Sequence, residues 1–162
     1  TVSVRETKTR AALAVVNGVL TGGTGGRLFK ELRGQTLVYY VFGLELSGLP
    51  PGYFMFMAQT RPETVDEVIS RIQANVRRIG KEGIDKDEFE LVKQKLIAAH
   101  AQRNTTPSSQ AFQAALDELY GLGHEHDRTY GDRISAVTVQ DVQDVVETFL
   151  KDPIVATSSP EN

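Results

Sequence analysis

The sequence predicts an α+β fold, with helices packed on one face of a mostly antiparallel sheet. Three observations carry this. Two stretches rich in Val, Tyr, Phe and Leu stand close together in the first third of the chain, stretches with helical spacing of apolar residues surround them, and a β-branched run, Ile154–Thr157, follows as a returning strand. A chain of 162 residues with 40% hydrophobic residues suits one domain with one core.

From Lys8 to Leu20 the residues Ala11, Ala12, Leu13, Val15, Val16, Val19 and Leu20 are dense enough for a helix buried on most of its surface. The run Thr21-Gly22-Gly23-Thr24-Gly25-Gly26 stops it, because glycine gives the backbone access to positive φ. A short helical piece, Arg27 to Arg33, follows, with Leu28, Phe29 and Leu32 on one side. Leu37 to Leu46 and Tyr53 to Thr60 read as strands, and the Ser47–Gly52 linker between them is short enough to imply an antiparallel hairpin.

From Pro62 the period is helical. Val65, Val68, Ile69, Ile72, Val76 and Ile79 form one stripe, Pro62, Glu63, Asp66 and Glu67 suit the first turn, and Gly80 to Gly83 ends it. Asp85 with Glu88 resembles a capping box, opening a helix that turns Phe89, Val92, Leu96 and Ala99 inward. Another helix is expected from Ser108 to Tyr120. Thr138 with Asp141 signals a last helix carrying Val142, Val145, Val146 and Phe149, with Pro153 as its stop.

The formal net charge of −3 comes from mixed charges spread along the chain, with no basic block to neutralise phosphates, so nucleic acid is not an expected partner. No stretch is long and apolar enough to span a bilayer, and Thr1–Arg5 has no signal-peptide core. The absence of cysteine excludes disulfides, thiolate ligands and a Cys nucleophile.

No set of residues reads as a catalytic centre. His124-Glu125-His126 has ligand types, but the histidines are two apart, whereas two ligands on one helical face need three or four, so a solvated loop after Gly121-Leu122-Gly123 is expected. An autonomous metal hydrolase built on His124 and His126 is the reading this spacing disfavours. His100 lacks a ligand partner at helical spacing and reads as a helix-surface or core-edge residue. The glycine run has no Gly-Lys-Ser/Thr ending and follows no predicted strand, which argues against nucleotide binding. Ser47, Ser108 and Ser109 lie in polar turns with no Gly-x-Ser-x-Gly elbow, and Asp85/Asp87 and Asp117/Glu118 read as caps and solvated faces.

The stretch Val16–Arg33 resembles the second, zinc-free half-domain of pitrilysin/insulinase-type metallopeptidases, where the pattern is Leu-Asn, a glycine-rich turn, Ser-Arg-Leu-Phe, then Glu-Leu/Ile-Arg. Leu37-Val38-Tyr39 resembles the family's Leu-Ala-Tyr strand, Arg61-Pro62-Glu63 its Thr-x-Pro-Glu helix start, and Ile134–Val142 its Ile-x-x-Val-Thr-x-x-Asp-Val. These islands run through nearly the whole chain in the family order.

The resemblance implies a single non-catalytic half-domain over residues 1–162, free-standing or part of a longer chain. It would work with a His-x-x-Glu-His-bearing domain or subunit that holds the zinc, this chain binding no cofactor itself. A peptide would lie between the halves. It further implies that Arg33 and a tyrosine contact the substrate. Tyr39 is the best match for that tyrosine, yet the family has one more residue between Arg and Tyr, often with a Gly before the strand where Gln35-Thr36 stand here, so Tyr40 restores the usual spacing and stays an alternative. Gly22, Gly23, Gly25 and Gly26 correspond in position to a glycine-rich loop tied to substrate contact in the mitochondrial processing peptidase α subunit, although a plain turn suits so short a run better. Family half-domains begin with strands before the first helix, and only Thr1–Glu6 stand there in this sequence. Family relatives in respiratory-chain core subunits serve as scaffold, which is the competing role. Bacterial relatives are often exported, implying the periplasm.

Overall fold

The computed structural model describes Ser3, residues 5–46 and residues 52–159. The hairpin turn expected at Ser47–Gly52, apart from Gly52, lies outside the described residues, as do Thr1, Val2 and Val4 of the N-terminal segment.

Helix α1, Thr7–Thr21, is the centre of the molecule. All seven residues expected to be buried on it are buried, and it touches β1, α3, α5 and α6. Burial on so many sides explains its composition, since small and β-branched residues let several elements approach one helix closely. Strands β1, Val38–Leu46, and β2, Tyr53–Thr60, form an antiparallel hairpin, the sheet of the described residues, in register from Val38↔Thr60 to Leu46↔Tyr53.

Alternation along the hairpin separates two faces. Val41, Phe54, Phe56 and Ala58 pack on the core beneath, whereas Tyr40, Phe42, Leu46, Tyr53 and Met57 are exposed. At Gly43 the helix and strand meet most closely. Asn17 Nδ2 donates to Gly43 O at 3.2 Å, Gly43 N donates to Thr21 Oγ1 at 3.1 Å, and Thr21 Oγ1 lies 2.6 Å from Asn17 Oδ1. A Cβ at position 43 would stand 2.1 Å from Asn17 Oδ1, so any larger residue there would force the Asn17 side chain to move.

Helix α2, Val65–Glu82, follows a single 3₁₀ turn at Pro62–Thr64. It runs through Gly80, expected as part of its end, and stops at Gly83, whose φ is +74°. Helix α3, Lys86–Arg103, is capped by Asp85, which accepts from the Asp87 and Glu88 amides at 3.0 and 3.3 Å. The box is half formed, because the Glu88 carboxylate turns instead to Arg27, 2.5 Å away. Phe89 and Val92 are buried as expected, but Ala99 is exposed, since the packed stripe of α3 continues through Leu96, Ile97 and His100 and Ala99 lies off it.

Helix α4, Pro107–Leu119, has a reciprocal capping box between Thr106 and Ser109. Helix α5, Tyr130–Ser135, is short, and α6, Val139–Val145, opens on the Thr138–Asp141 box and continues as a π turn, Val146–Leu150. The strand expected at Ile154–Thr157 does not form. Ile154 is 99% exposed, and a β-branched run without a neighbouring strand edge to pair with gains nothing from extension.

Candidate functional site

Arg33 ends a π turn, Phe29–Arg33, that leaves the glycine run and delivers the chain to β1. Buried Leu28 and Leu32 anchor this segment to the core, so the residues after it must reach the strand start within a few positions. They do so through Thr36, whose φ is +57°. That is an uncommon conformation for a β-branched side chain, and it occurs in the turn where the resemblance leads one to expect glycine. The Thr36 and Leu37 amides close the turn on Arg33 O and Leu32 O at 3.0 and 2.9 Å.

The turn sets up a bulge in the hairpin. Val38 pairs with Thr60 and Tyr40 with Gln59, leaving Tyr39 as the extra residue of β1. A bulge resets the alternation of side chains, which is why adjacent tyrosines are both exposed, Tyr39 at 72% and Tyr40 at 38%. They are used differently. The Arg33 guanidinium carbon lies 5.4 Å from the Tyr39 ring centroid, and Arg33 Nη1 donates to Val38 O at 3.3 Å. Tyr40 instead stacks on Phe42, 5.6 Å between centroids, on the outer face of the hairpin.

A shallow, open depression of about 370 Å³ lies beside this pair, lined among others by Arg33, Thr36, Tyr39, Gln59, Thr60 and Arg61. Thr60 Oγ1 donates to Leu37 O at 2.6 Å and lies 2.7 Å from Thr64 Oγ1, tying the beginning of β1 to the end of β2. Behind it a polar network fixes the π turn to α2. Arg71 reaches Gln35 Oε1 at 3.0 Å and Glu67 at 2.6 Å, and Asn75, 2% exposed, donates to Glu31 at 2.7 Å while accepting from Arg78. An open, donor-rich recess with one phenol and two guanidinium groups can bind peptide carbonyl or carboxylate oxygens.

The structure therefore brings Arg33 and Tyr39 together and sets Tyr40 to one side. Gly22, Gly23, Gly25 and Gly26 are not among the residues lining the depression. They make the tight exit from α1 instead: Gly23 has φ +65°, and Cβ atoms on Gly22 and Gly26 would fall 2.2 Å from Gly18 O and 2.8 Å from Leu20 O. Thr36, Gln59 and Arg61 escaped the sequence reading as parts of one site. Arg61 was legible only as a helix start, and the one available signal for Thr36 was its place in a turn expected to hold glycine.

The histidines are engaged separately. His124 lies 3.6 Å from Glu118, and His126 lies against Arg133, which donates to His126 O at 2.6 Å. Burial, assisted by the Arg133 charge, holds the His126 imidazole below its ordinary value. His100 stacks on Tyr130 with 3.9 Å between centroids and pairs with Asp127 at 3.1 Å. No group of three or more His, Asp or Glu residues placed to hold a metal occurs among the described residues.

Comparison with known proteins agrees with this architecture. No curated protein matches the chain significantly. Among solved structures it is similar to the inactive peptidase domain of a protein assigned as a zinc protease in Bordetella parapertussis, at 22% identity and TM-score 0.79, covering 92% of this chain and 81% of that one. It is likewise similar to the peptidase M16 inactive domain of Pseudomonas fluorescens, at 24% identity and TM-score 0.76, covering 87% and 34%, and to a protease of Helicobacter pylori, at 21% identity and TM-score 0.79, covering 93% and 37%. The chain spans about a third of each of these last two. The family model for the peptidase M16 inactive domain matches residues 1–96, the part holding α1, the glycine run, the Arg33–Tyr39 pair and the hairpin, and on that match the chain belongs to the M16 peptidase family as one of its inactive domains.

Proposed function

We propose that this chain, as a single half-domain, holds an unfolded peptide for a zinc-bearing catalytic half, in the same or another chain, and contributes Arg33 and Tyr39 to that grip. The observation that carries the reading is the pairing of these two side chains over an open recess, between a strained turn and a bulge. Strain kept at one place on a surface is a feature of binding sites. Arg33 has N–H groups to spare after its bond to Val38 O, and the Tyr39 hydroxyl can donate to a peptide carbonyl or a developing oxyanion.

The exposed apolar face of the hairpin supports the pairing half of the reading. Tyr40, Phe42, Leu46, Tyr53 and Met57 line up on one side of a single sheet, a patch of the kind that assembly covers. Zinc would be supplied by the catalytic half, where it would polarise the scissile carbonyl and activate water.

The test is cleavage of unstructured peptides by this chain combined with its His-x-x-Glu-His half, comparing the natural sequence with the R33A/Y39F double variant. Loss of about tenfold or more in kcat/KM, with circular dichroism unchanged, is the expected result, the size of one or two hydrogen bonds to reacting substrate. Equal activity would assign the chain a scaffold role. No cleavage with a catalytic half known to bind zinc would remove the pairing itself.

A further inference from the structure

We propose that the recess between Arg33 and Arg61 is a carboxylate-selecting subsite, taking an acidic side chain or the C-terminal carboxylate of the bound peptide. The inference rests on the reading of this surface as peptide-holding, and it adds which peptides are held.

The hairpin register brings two arginines to one recess at the open end of the hairpin. Arg33 precedes β1 and Arg61 follows β2, and the Val38↔Thr60 pair joins those ends. Among the described residues, no carboxylate lines the recess. In the polar network behind it, Glu31 is already held by Asn75 at 2.7 Å and Glu67 by Arg71 at 2.6 Å. Glu63, two residues beyond Arg61, is exposed and not part of the lining. The Arg61 side chain has no hydrogen-bond or ion-pair partner among the described residues, and the remaining lining side chains are uncharged.

Two arginines without a carboxylate partner on one open recess leave it with unneutralised positive charge, which a carboxylate offsets while accepting from a guanidinium fork. A neutral peptide carbonyl can accept from these groups but does not offset their charge. Gln59 and the Tyr39 hydroxyl add neutral donors that suit a carboxylate oxygen and offer no competing charge. Because the recess is open to water, the preference should be moderate and should weaken with salt.

The experiment measures binding of three N-acetylated peptides of one sequence to this chain, followed by backbone amide shifts of residues 33–39 and 59–61. One peptide carries Glu with an amidated C-terminus, the second Gln with an amidated C-terminus, and the third Gln with a free carboxylate. The expected result is that the first, the third or both bind about tenfold tighter than the second, that is, about 1.4 kcal/mol. Which of the two does so identifies the source of the carboxylate. R61Q should bring the acidic peptides to the affinity of the neutral one, R61K should retain part of the preference, and high salt should narrow it. Equal binding of all three, weakened throughout by R33Q, would overturn the carboxylate selection and leave the peptide-holding reading intact. An acidic preference that survives R61Q would place the selecting charge elsewhere and also overturn the proposal. If no peptide moves these amides, both readings fall together.

Discussion

Arg33 and Tyr39 are brought face to face by one extra residue in β1, with 5.4 Å between the guanidinium carbon and the ring centroid. That bulge sets Tyr39, rather than the adjacent Tyr40, against the arginine.

With the chain holding peptide for a zinc-bearing half as proposed, Y39A should lower the kcat/KM of the combination several-fold more than Y40A. Tyr39 offers its hydroxyl at the recess, whereas Tyr40 lies on the apolar face against Phe42. Steady-state kinetics on both variants checks this, and an equal or larger loss in Y40A would move the site to the outer face of the hairpin.

Thr36 holds a left-handed conformation that costs an L-residue roughly 1–2 kcal/mol. T36G removes that cost but gives the unfolded chain more freedom, a loss of about 0.4–1 kcal/mol, so a net gain of up to about 1.6 kcal/mol is expected. Denaturant unfolding would show a raised midpoint at constant slope, and a lowered midpoint would mean that the threonine hydroxyl, bonded to Gln35 O at 2.7 Å, outweighs the strain.

Asn17 and Gly43 form the contact between α1 and β1 that admits least change. G43A should cost about 1–3 kcal/mol, because its Cβ would fall 2.1 Å from Asn17 Oδ1. N17A removes the donor to Gly43 O and should cost about 1 kcal/mol. The double variant should be more stable than the sum of the two predicts, since shortening the side chain at position 17 vacates the space that a methyl group at position 43 needs. Strict additivity in a double-mutant cycle would show that the two residues do not limit each other's position.

Asp141 links the start of α6 to α1. Its hydrogen bond from Lys8, 2.8 Å away, together with the Thr138 backbone and side-chain bonds, pulls the carboxyl from 3.8 to about 2. The folded-state value lies below the unfolded one, so this contribution to stability is complete above about pH 4 and disappears as pH falls towards 2. The stability difference between the natural sequence and D141N should shrink over that window. A difference that stays constant from about pH 5 to about pH 2 would show that the cap acts without the charge.

Much of the fold is legible in residue pattern because the pattern records local physics. The α1 apolar run, the α2 stripe and the Thr138–Asp141 box depend on spacing and capping, which neighbours in the sequence largely settle. Where a distant partner competes for a side chain, the pattern misleads. Glu88 has the right spacing to complete a box with Asp85, yet Arg27 claims its carboxylate, and Lys93, 7% exposed, is buried because Ser135 O and Val137 O accept from its ammonium group.

By itself the sequence determined the α+β class, the order of the main helices and the hairpin, and the resemblance that selects Arg33. Only the tertiary structure decided that Tyr39 rather than Tyr40 meets that arginine, that Arg61 enters the same recess, and that Ile154–Thr157 forms no strand. The reason is that bulges, strand pairing and the meeting of chain ends are set by which surfaces lie opposite one another, and residue pattern encodes the shape of a segment without naming the partner across from it.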